Sequence, residues 1–409
     1  MNRIIFHVDV NSAFLSWEAT RRVARGEPDL RRVPSVIGGD PSSRTSIVTA
    51  KSIPAKTYGI VTGEPVSAAL RKCPELVIAK ADFKLYGECS RAFKGICREF
   101  TPVVEEFSID ECFMDMTAMG KLYPDPIRAA HMLKDRIRDE LGFTVNVGVA
   151  HNKLLAKMAS DFTKPDRVHT LFEEEISSKM WPLPVGELFL CGKASTQKLR
   201  RLQINTIGDL ASADAKAIQL VLGNKLGMQL WRYANGLDDS PVSAEREAPK
   251  GYSNELSFDD DITERRQGER VLLHLADNVA ARVRADGVRG FCVSVTIRGN
   301  DMKRRSHQHK LDAATDSTTK IYETAVALFG ELWDEKMPLR LIGLSLSDVE
   351  KEGEGQISFF DMQAAGDNEK DKNADRAVDA LREKFGSDII KRGGMIGSGI
   401  TLRKKDQHR

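Results

Sequence analysis

Three acidic residues stand where they could share one site. Asp9 ends an apolar, β-rich run at residues 3–10, and Asp110 and Glu111 lie between two further strand-like runs. Carboxylates that converge at a sheet edge form a hard, oxygen-rich site suited to Mg²⁺. Two such ions about 3.5–4 Å apart activate an attacking hydroxyl and stabilise a leaving group.

The spacing leaves two alternatives open. Adjacent residues of a regular strand point to opposite faces, so Asp110 and Glu111 share a site only if the backbone turns there. A plain polar hairpin turn is the simpler interpretation. Nearby Glu105, Glu106 and Asp115 are competing ligands.

Composition restricts the class of protein. The chain has 409 residues, 41% of them hydrophobic, which predicts two to four domains. The net charge of only +2 means that a polyanionic partner must be met by local patches. No long apolar run or secretory signal is apparent, and the six cysteines have no CxxC pairing, which favours free thiols, a cytoplasmic location and no membrane.

The elements around the acids follow the order β-α-(insert)-β-β-α-β-α-β. This order contains a split β-α-β sheet of the ferredoxin-like type. Asp125-Pro126 predicts a helix start and Gly142 its end, before a strand at 144–150 and a helix at 152–162. Residues 26–75 form the choppy insert.

The second half is organised differently. Residues 175–240 predict a helical domain, and the polar residues 241–250 predict a linker. A β-α-β-β-α-β pattern follows over 251–350. The Gly- and charge-rich residues 351–409 are expected to be mostly mobile, with one short helix near 374–385.

Three segments together resemble a known family. HVDVNSAF (7–14), EEFSIDECFMD (105–115) and NKLLAKMASDFTKP (152–165) are similar to signature segments of Y-family DNA polymerases, of the polymerase IV and UmuC-like lineage. The resemblance covers about residues 1–350. It implies an α+β, multidomain right-hand polymerase, built from a ferredoxin-like palm (1–25 and 76–174), small fingers (26–75), a helical thumb (175–240), a linker (241–250), a little finger (251–350) and a flexible tail (351–409).

The resemblance also implies roles for particular residues. Asp9, Asp110 and Glu111 would be the catalytic carboxylates, and the carbonyl of Val10 would help to hold one of two Mg²⁺ ions. Low-fidelity, template-directed synthesis past damaged DNA would be the activity.

The same resemblance implies a nucleotide pocket. Phe14 would exclude a 2′-hydroxyl, although a core phenylalanine is the alternative. Lys164 would bind a phosphate of the dNTP, whereas a solvated helix-end lysine is the alternative. Where relatives carry a tyrosine and an arginine, this chain has Ile53 and Lys56. Lys56 keeps a charge, Lys51 is a further candidate, and Ser46 and Val48 are expected to roof the base pair.

Two segments are expected to grip primer-template DNA. Residues 190–211 resemble a helix-hairpin-helix with Gly192 and Lys193 at the phosphate, although Gln203 replaces its later glycine. Residues 288–311 are strongly basic, and the resemblance makes them a surface that follows the DNA backbone. A solvated charged face is the alternative. The candidate DNA contacts are Arg289, Arg298, Lys303, Arg304 and Arg305.

The segment QISFF (356–360) resembles a peptide that binds the bacterial β sliding clamp. Gln356, Ile357, Phe359 and Phe360 would be its anchors, although a residual strand packed on the body is the alternative. The expected protein is a bacterial, nucleoid-associated monomer in the cytoplasm. Competing hypotheses are a non-catalytic DNA-binding or clamp adaptor, which leaves the acids unused, and a cyclase-type enzyme, which leaves the basic strands unused.

Overall fold

The structure is a computed structural model that describes residues 3–245, 247–351, 369–386, 390, 392 and 393. The chain divides into two compact units, and the division falls at residue 246, inside the predicted linker. The first unit consists of residues 3–42 and 46–245. The second consists of residues 43–45, 247–351 and the described residues after 368.

The first unit contains two sheets and the helices around them. Its elements are β1 (Ile5–Val10), α1 (Ala13–Ala24), β2 (Ser35–Ile37), β3 (Ala50–Lys51), α2 (Ile53–Thr57), α3 (Val66–Lys72), β4 (Val77–Ala79), α4 (Phe83–Phe100), β5 (Val104–Glu106), β6 (Glu111–Asp115), α5 (Pro126–Leu141), β7 (Val145–Ala150), α6 (Lys153–Ser160), β8 (Val168–Thr170), α7 (Lys193–Arg201), α8 (Ile207–Ser212), α9 (Ala215–Leu222) and α10 (Asn224–Ala234).

The predicted ferredoxin-like sheet is confirmed. Its strand order is β5-β6-β1-β7-β8, in which β1 is antiparallel to both β6 and β7. The predicted helix signals also hold, because the Asp125 side chain accepts from two backbone N–H groups of α5 and Gly142 ends that helix at φ 75°.

The pleat of β1 separates two apolar clusters. Phe6, Val8 and Val10 pack with α4 and α5 on one face. Ile5 lies on the other face, in a cluster that continues through α6 into α7, α8 and α10. His7 and Asp9 share that second face because side chains alternate along a strand.

The inserted residues form a small sheet with its own core. Its order is β3-β2-β4, and β2 runs parallel to β4. Val36, Val48 and Val66 belong to the apolar cluster beneath it.

The second unit is a four-stranded antiparallel sheet with helices on one face. Its apolar cluster joins the sheet to the first two helices. The strand order is β11-β10-β12-β9. Its elements are β9 (Gly251–Ile262), α11 (Arg265–Ala285), β10 (Val288–Gly299), β11 (Arg304–Thr315), α12 (Thr318–Leu332), β12 (Leu339–Lys351) and α13 (Glu369–Phe385).

The helix predicted near residues 374–385 is present as α13 in the part of 351–409 that the structure describes. Helix α13 is longer than the predicted helix and is fixed to the second unit by buried ion pairs. Asp375, whose side chain is 2% exposed, contacts Arg284 at 3.1 Å and also pairs with Arg392. Asp277 of α11 contacts Arg382 at 2.8 Å. Charges this deep require partners, and the partners here are far apart in sequence.

Candidate active site

The register of the sheet makes the backbone positions of the three predicted acids neighbours at one strand end. Asp9 of β1 lies directly across from Glu111 of β6. The backbone N–H of Val10 donates to the Asp110 carbonyl at 3.0 Å. The chain bends at Ser108–Asp110 before β6 begins, which is the backbone turn that the prediction required.

Helix α4 holds this bend in place. Lys94 Nζ donates to the carbonyl of Ser108 at 2.6 Å, and the Ser90 hydroxyl donates to the carbonyl of Ile109. The Ser108 hydroxyl then donates to Asp110 Oδ1 at 2.7 Å. The position of Asp110 therefore depends on helix contacts that lie some 15–20 residues earlier in the chain.

The competing acids are engaged elsewhere. Glu105 pairs with Lys153 at 2.6 Å, and Glu106 pairs with Arg98 at 2.6 Å. Asp115 accepts from the backbone N–H of Thr117. These contacts favour Asp9, Asp110 and Glu111 as the acids of the site.

Two lysines face the acids. Lys164 Nζ lies 2.6 Å from Asp9 Oδ2, and Lys157 Nζ lies 2.5 Å from Glu111 Oε1. Burial raises the pKa of Asp9 to about 6, although both lysines act to lower it and Glu111 acts to raise it. Burial acts to lower the pKa of each lysine, but the neighbouring carboxylates outweigh it and raise both values.

The carboxylate oxygens of the three acids are ligands that suit a hard divalent cation, and lysine ammonium groups contact two of these acids. Within the part of the chain that the structure describes, no three acidic, His or Cys side chains converge closely enough to hold a metal ion. The reason is that Asp9 and Glu111 turn toward lysines and Asp110 turns toward Ser108. The ammonium groups show that this strand end accepts positive charge, so a cation would replace existing ion pairs.

A cavity of about 350 Å³ opens beside the acids. Asp9 and Asp110 lie at its acidic side, and Lys51, Lys56 and Lys164 supply cations. Its walls also include Val10, Ser12, Ala13, Phe14, Thr49, Ala50 and Thr62. The arrangement suits a ligand that carries several negative charges.

Phe14 is a wall of this cavity whose orientation is fixed by other rings. It stacks on Tyr86 with centroids 4.6 Å apart and meets Phe83 edge-on at 6.0 Å. Tyr86 is completely buried. Sequence reasoning missed these two supports because they lie on α4, about seventy residues later.

The cavity is lined by the residue that follows Val48, and not by the predicted roof residues. Val48 is fully buried in the core beneath the small sheet, and Ser46 is 3% exposed, so neither lines the cavity. Thr49 lines the cavity instead, together with Thr62. Successive side chains of an extended segment point to opposite sides, so Val48 points into the core and the next residue, Thr49, points into the cavity.

Lys51 and Lys56, both from the inserted residues, line the cavity. Lys51 donates to the carbonyl of Ile60 at 2.6 Å. Burial is the main cause that lowers the pKa of Lys51, and the positive charge of nearby Lys56 adds to it. Ile53 is 56% exposed and does not line the cavity. Ile53 therefore cannot replace the tyrosine hydroxyl that relatives carry at this position, which leaves more of the triphosphate binding to the lysines.

The predicted hairpin after residue 190 is present. Gly192 precedes α7, and Lys193 begins that helix with an exposed side chain. Gln203 has φ 63°, a left-handed conformation that favours glycine. This finding supports the hairpin geometry despite the missing glycine.

The basic residues of the second unit do not form one surface. Arg298 and Arg304 are direct cross-strand partners, on the sheet face opposite the helices. Arg305 instead pairs across from Ile297, whose side chain lies in the core beneath the helices, and contacts Asp301 at 2.9 Å. Arg304 and Arg305 therefore lie on opposite faces of the sheet, because neighbouring strand residues alternate.

The remaining basic candidates differ in exposure. Arg289 lies across from Glu350, with 3.9 Å between their charged groups. Lys303 is exposed in the turn between β10 and β11. Small polar side chains flank Arg298 on the open face, so that face is flat: Ser294, Thr296, Ser306 and Ser345.

The clamp-binding candidates Gln356, Ile357, Phe359 and Phe360 lie outside the described residues. Among the described residues, no helix is both long enough and apolar enough to cross a bilayer.

Comparison with known proteins identifies the family. The impB/mucB/samB family matches residues 8–161, its C-terminal domain matches 249–359, and a thumb domain described for DNA polymerase-iota matches 191–238. DNA polymerase IV of Clostridium acetobutylicum is 44% identical over 397 residues, which cover 97% of this chain and 99% of the relative. DNA polymerase IV of Acetivibrio thermocellus is 35% identical, covering 97% and 98%.

The fold has a solved counterpart. A Y-family DNA polymerase chimera of Dbh and Dpo4 superimposes with a TM-score of 0.73 at 21% identity, covering 85% of this chain and 99% of that one. The fold class predicted from the sequence is thereby confirmed. With full-length relatives of this similarity, the chain belongs to the Y-family of DNA polymerases.

Proposed function

We propose that the chain is a DNA-directed DNA polymerase of low fidelity that carries out translesion synthesis with two Mg²⁺ ions. The observation that carries this proposal is the cavity in which Asp9 and Asp110 face Lys51, Lys56 and Lys164. One side of it suits divalent cations, and the other suits a triphosphate. Tolerance of damaged templates follows from the resemblance to Y-family polymerases.

Each residue has a role in the proposed reaction. Asp9, Asp110, Glu111 and the Val10 carbonyl would hold the cations. Bound cations supply charge that promotes ionisation of a primer 3′-hydroxyl and offsets charge on the leaving pyrophosphate.

The cavity lysines and Phe14 act on the nucleotide. Lys51, Lys56 and Lys164 neutralise the triphosphate and orient its α-phosphorus toward the primer. The 3′-oxygen forms the new bond as the bond to pyrophosphate breaks. Phe14, held by Tyr86, presents a rigid edge to the sugar and disfavours ribose.

Primer extension tests the proposal directly. Wild type with Mg²⁺ should extend a primer on undamaged and damaged templates, and Asp110→Ala should lower the rate by roughly 10²–10³-fold. Asp115→Ala is the matched control, because Asp115 accepts from Thr117 away from the cavity. Equal extension by wild type and Asp110→Ala would exclude the catalytic role. Absence of extension by wild type, with DNA binding intact, would favour the adaptor.

DNA contacts are proposed for both units. Gly192 and Lys193 would meet a backbone phosphate, and Arg298, Arg304 and Lys303 would follow the duplex backbone. Arg289, at the other end of β10, would make a separate contact. The open, flat sheet face with its paired arginines supports this assignment. Arg305 is left out because it lies on the sheet face that carries the helices, where it contacts Asp301. Arg304 pairs with Glu255 on the open face and would exchange that contact for a phosphate.

The clamp assignment rests on sequence alone. We propose that Gln356, Ile357, Phe359 and Phe360 bind the β sliding clamp and that the protein acts as a monomer near the bacterial nucleoid, in the cytoplasm. Replacing Phe359 and Phe360 with Ala should abolish clamp stimulation while unassisted synthesis continues. Equal stimulation of the variant and wild type would refute the assignment.

A further inference from the structure

A second lysine lies behind the acids, away from the cavity. Lys157 Nζ is 2.5 Å from Glu111, 3.5 Å from Asp161 and 3.9 Å from Asp9. Its side chain is 11% exposed and does not line the cavity. The Lys164 side chain, by contrast, is 37% exposed and does line it. Both ammonium groups contact Asp9 Oδ2 and Asp161, so what distinguishes Lys157 is its contact with Glu111 and its lower exposure.

The backbone that carries Lys157 is fixed on three sides. Helix α6 presses on β7 at Gly148, where a Cβ atom would lie 2.0 Å from the Ala156 carbonyl oxygen. The Ser160 hydroxyl donates to the Lys157 carbonyl at 2.8 Å. Ser160 has a single hydroxyl proton, so His7 Nδ1, at 2.8 Å, is the donor to the Ser160 oxygen. This chain of bonds ties α6 to β1, two residues before Asp9.

The two lysines differ in what they can do when a nucleotide arrives. Lys164 can exchange Asp9 for a phosphate without leaving the cavity wall. Lys157 does not line the cavity, and moving it would leave Glu111 unpaired in a largely buried place. A cation that binds Glu111 must therefore compete with the Lys157 ammonium for this carboxylate.

We propose that Lys157 is a positioning residue that holds Glu111 in a fixed direction and moderates the attraction of the acids for divalent cations. This inference rests on the proposed function, since it assigns Glu111 to a cation. The ammonium competes for Glu111, so it weakens cation binding while it improves the geometry for catalysis. Loss of Lys157 should then change binding and turnover in opposite directions.

The test compares three variants with wild type. Lys157→Met removes the charge, and Lys157→Arg retains it. Lys153→Met is the matched control, because Lys153 lies one turn earlier on α6 and pairs with Glu105 at 2.6 Å, outside the cavity. Mn²⁺ binding to the free protein is measured by electron paramagnetic resonance, and single-nucleotide insertion gives kcat and KM for dNTP.

Lys157→Met should bind Mn²⁺ at least about fivefold more tightly, the change expected from removing one nearby like charge. Its kcat should fall by at least about tenfold at saturating Mg²⁺, while KM for dNTP stays within about twofold. Lys157→Arg should restore both values toward wild type, and Lys153→Met should leave both unchanged. Unchanged or weaker Mn²⁺ binding by Lys157→Met would overturn the proposal, as would an unchanged kcat.

Two further controls keep the result interpretable. A damaged fold lowers binding and turnover together, which differs from the opposed changes expected here. Lys157→Gln, which keeps a donor for Glu111, replaces the Met variant where circular dichroism shows that the latter is unfolded. If wild type extends no primer, the polymerase proposal fails, whereas the Mn²⁺ comparison still tests whether Lys157 competes at Glu111.

Discussion

Asp9 is a buried carboxylate whose ionised form is disfavoured in the folded protein. Burial raises its pKa from 3.8 to about 6, so the folded state binds a proton more tightly than the unfolded chain. The stabilising contribution of the protonated group is complete below pH 3.8 and is lost as pH rises through about 6. At neutral pH, the ionised group therefore costs stability.

Asp9→Asn should consequently stabilise the metal-free protein at pH 7.5, by about 1–3 kcal/mol in the free energy of unfolding, while polymerase activity is lost. The stabilisation should disappear near pH 4, where Asp9 itself is protonated. Urea unfolding in a chelating buffer at both pH values measures this. Asp82→Asn is the opposite control, because hydrogen bonding from Arg21 lowers the pKa of Asp82 and its loss should destabilise. Equal stability of Asp9→Asn and wild type at pH 7.5 would contradict the argument.

Phe14 tests the role of the aromatic wall in sugar selection. Phe14→Ala should raise the ratio of ribonucleotide to deoxyribonucleotide insertion by at least about tenfold, since the ring edge no longer meets a 2′-hydroxyl. Tyr86→Phe keeps the supporting ring and should leave that ratio unchanged. Single-nucleotide insertion kinetics with dNTP and rNTP give the measurement. An unchanged sugar preference in Phe14→Ala would show that the ring is only a core residue.

At the scale of elements, the approach of α6 to β7 determines the spacing of the site. Gly148→Ala would place a methyl group 2.0 Å from the Ala156 carbonyl, so α6 must move outward. We expect a loss of about 3 kcal/mol or more in unfolding free energy and reduced primer extension in any folded fraction. Thermal unfolding and primer extension check both effects.

The control for that prediction is a glycine with space around it. Gly95 lies within α4, and no atom lies within 4 Å of the Cβ that Gly95→Ala would add. That variant should be neutral or more stable by up to about 1 kcal/mol. If both glycine variants behave alike, close helix–strand contact is not what Gly148 provides.

At the scale of the whole molecule, ion pairs make α13 part of the second unit. Asp375 accepts from the N–H of Thr318 at 2.9 Å in addition to its two arginine contacts. Asp375→Ala would remove one of the two carboxylate partners of Arg284, which keeps Asp379, and would leave the Thr318 N–H without its acceptor, at a cost of about 1–3 kcal/mol. Hydrogen exchange should accelerate in peptides from α11 and α12 but not in peptides from the first unit.

An exposed ion pair provides the comparison for Asp375. Lys336 and Asp334 are 85% and 63% exposed, so Lys336→Ala should change stability by less than about 1 kcal/mol. If hydrogen exchange in α12 is equally slow in Asp375→Ala and Lys336→Ala, the contacts of Asp375 in α13 do not stabilise the second unit.

The order of elements could be predicted because it depends on local patterns, whereas the choice of Asp9, Asp110 and Glu111 depended on the resemblance of three segments to a known family. The helix caps at Asp125 and Gly142 and the extended conformation of β1 depend on residues that are close in sequence. Side-chain direction could not be predicted where the backbone is irregular, as at Val48, which is buried, or where adjacent strand residues alternate, as at Arg305. The docking of α13 was missed because its ion pairs join residues about a hundred positions apart.

The apolar cluster beneath β1 has a consequence for synthesis of the protein. It joins Ile5 and Phe113 to Leu199, Leu230 and finally Val242. A nascent chain therefore lacks part of the support below its catalytic strand until about residue 242 has left the ribosome. A fragment that stops before α7 should expose this surface, aggregate and require a chaperone, so the palm by itself is not a minimal enzyme.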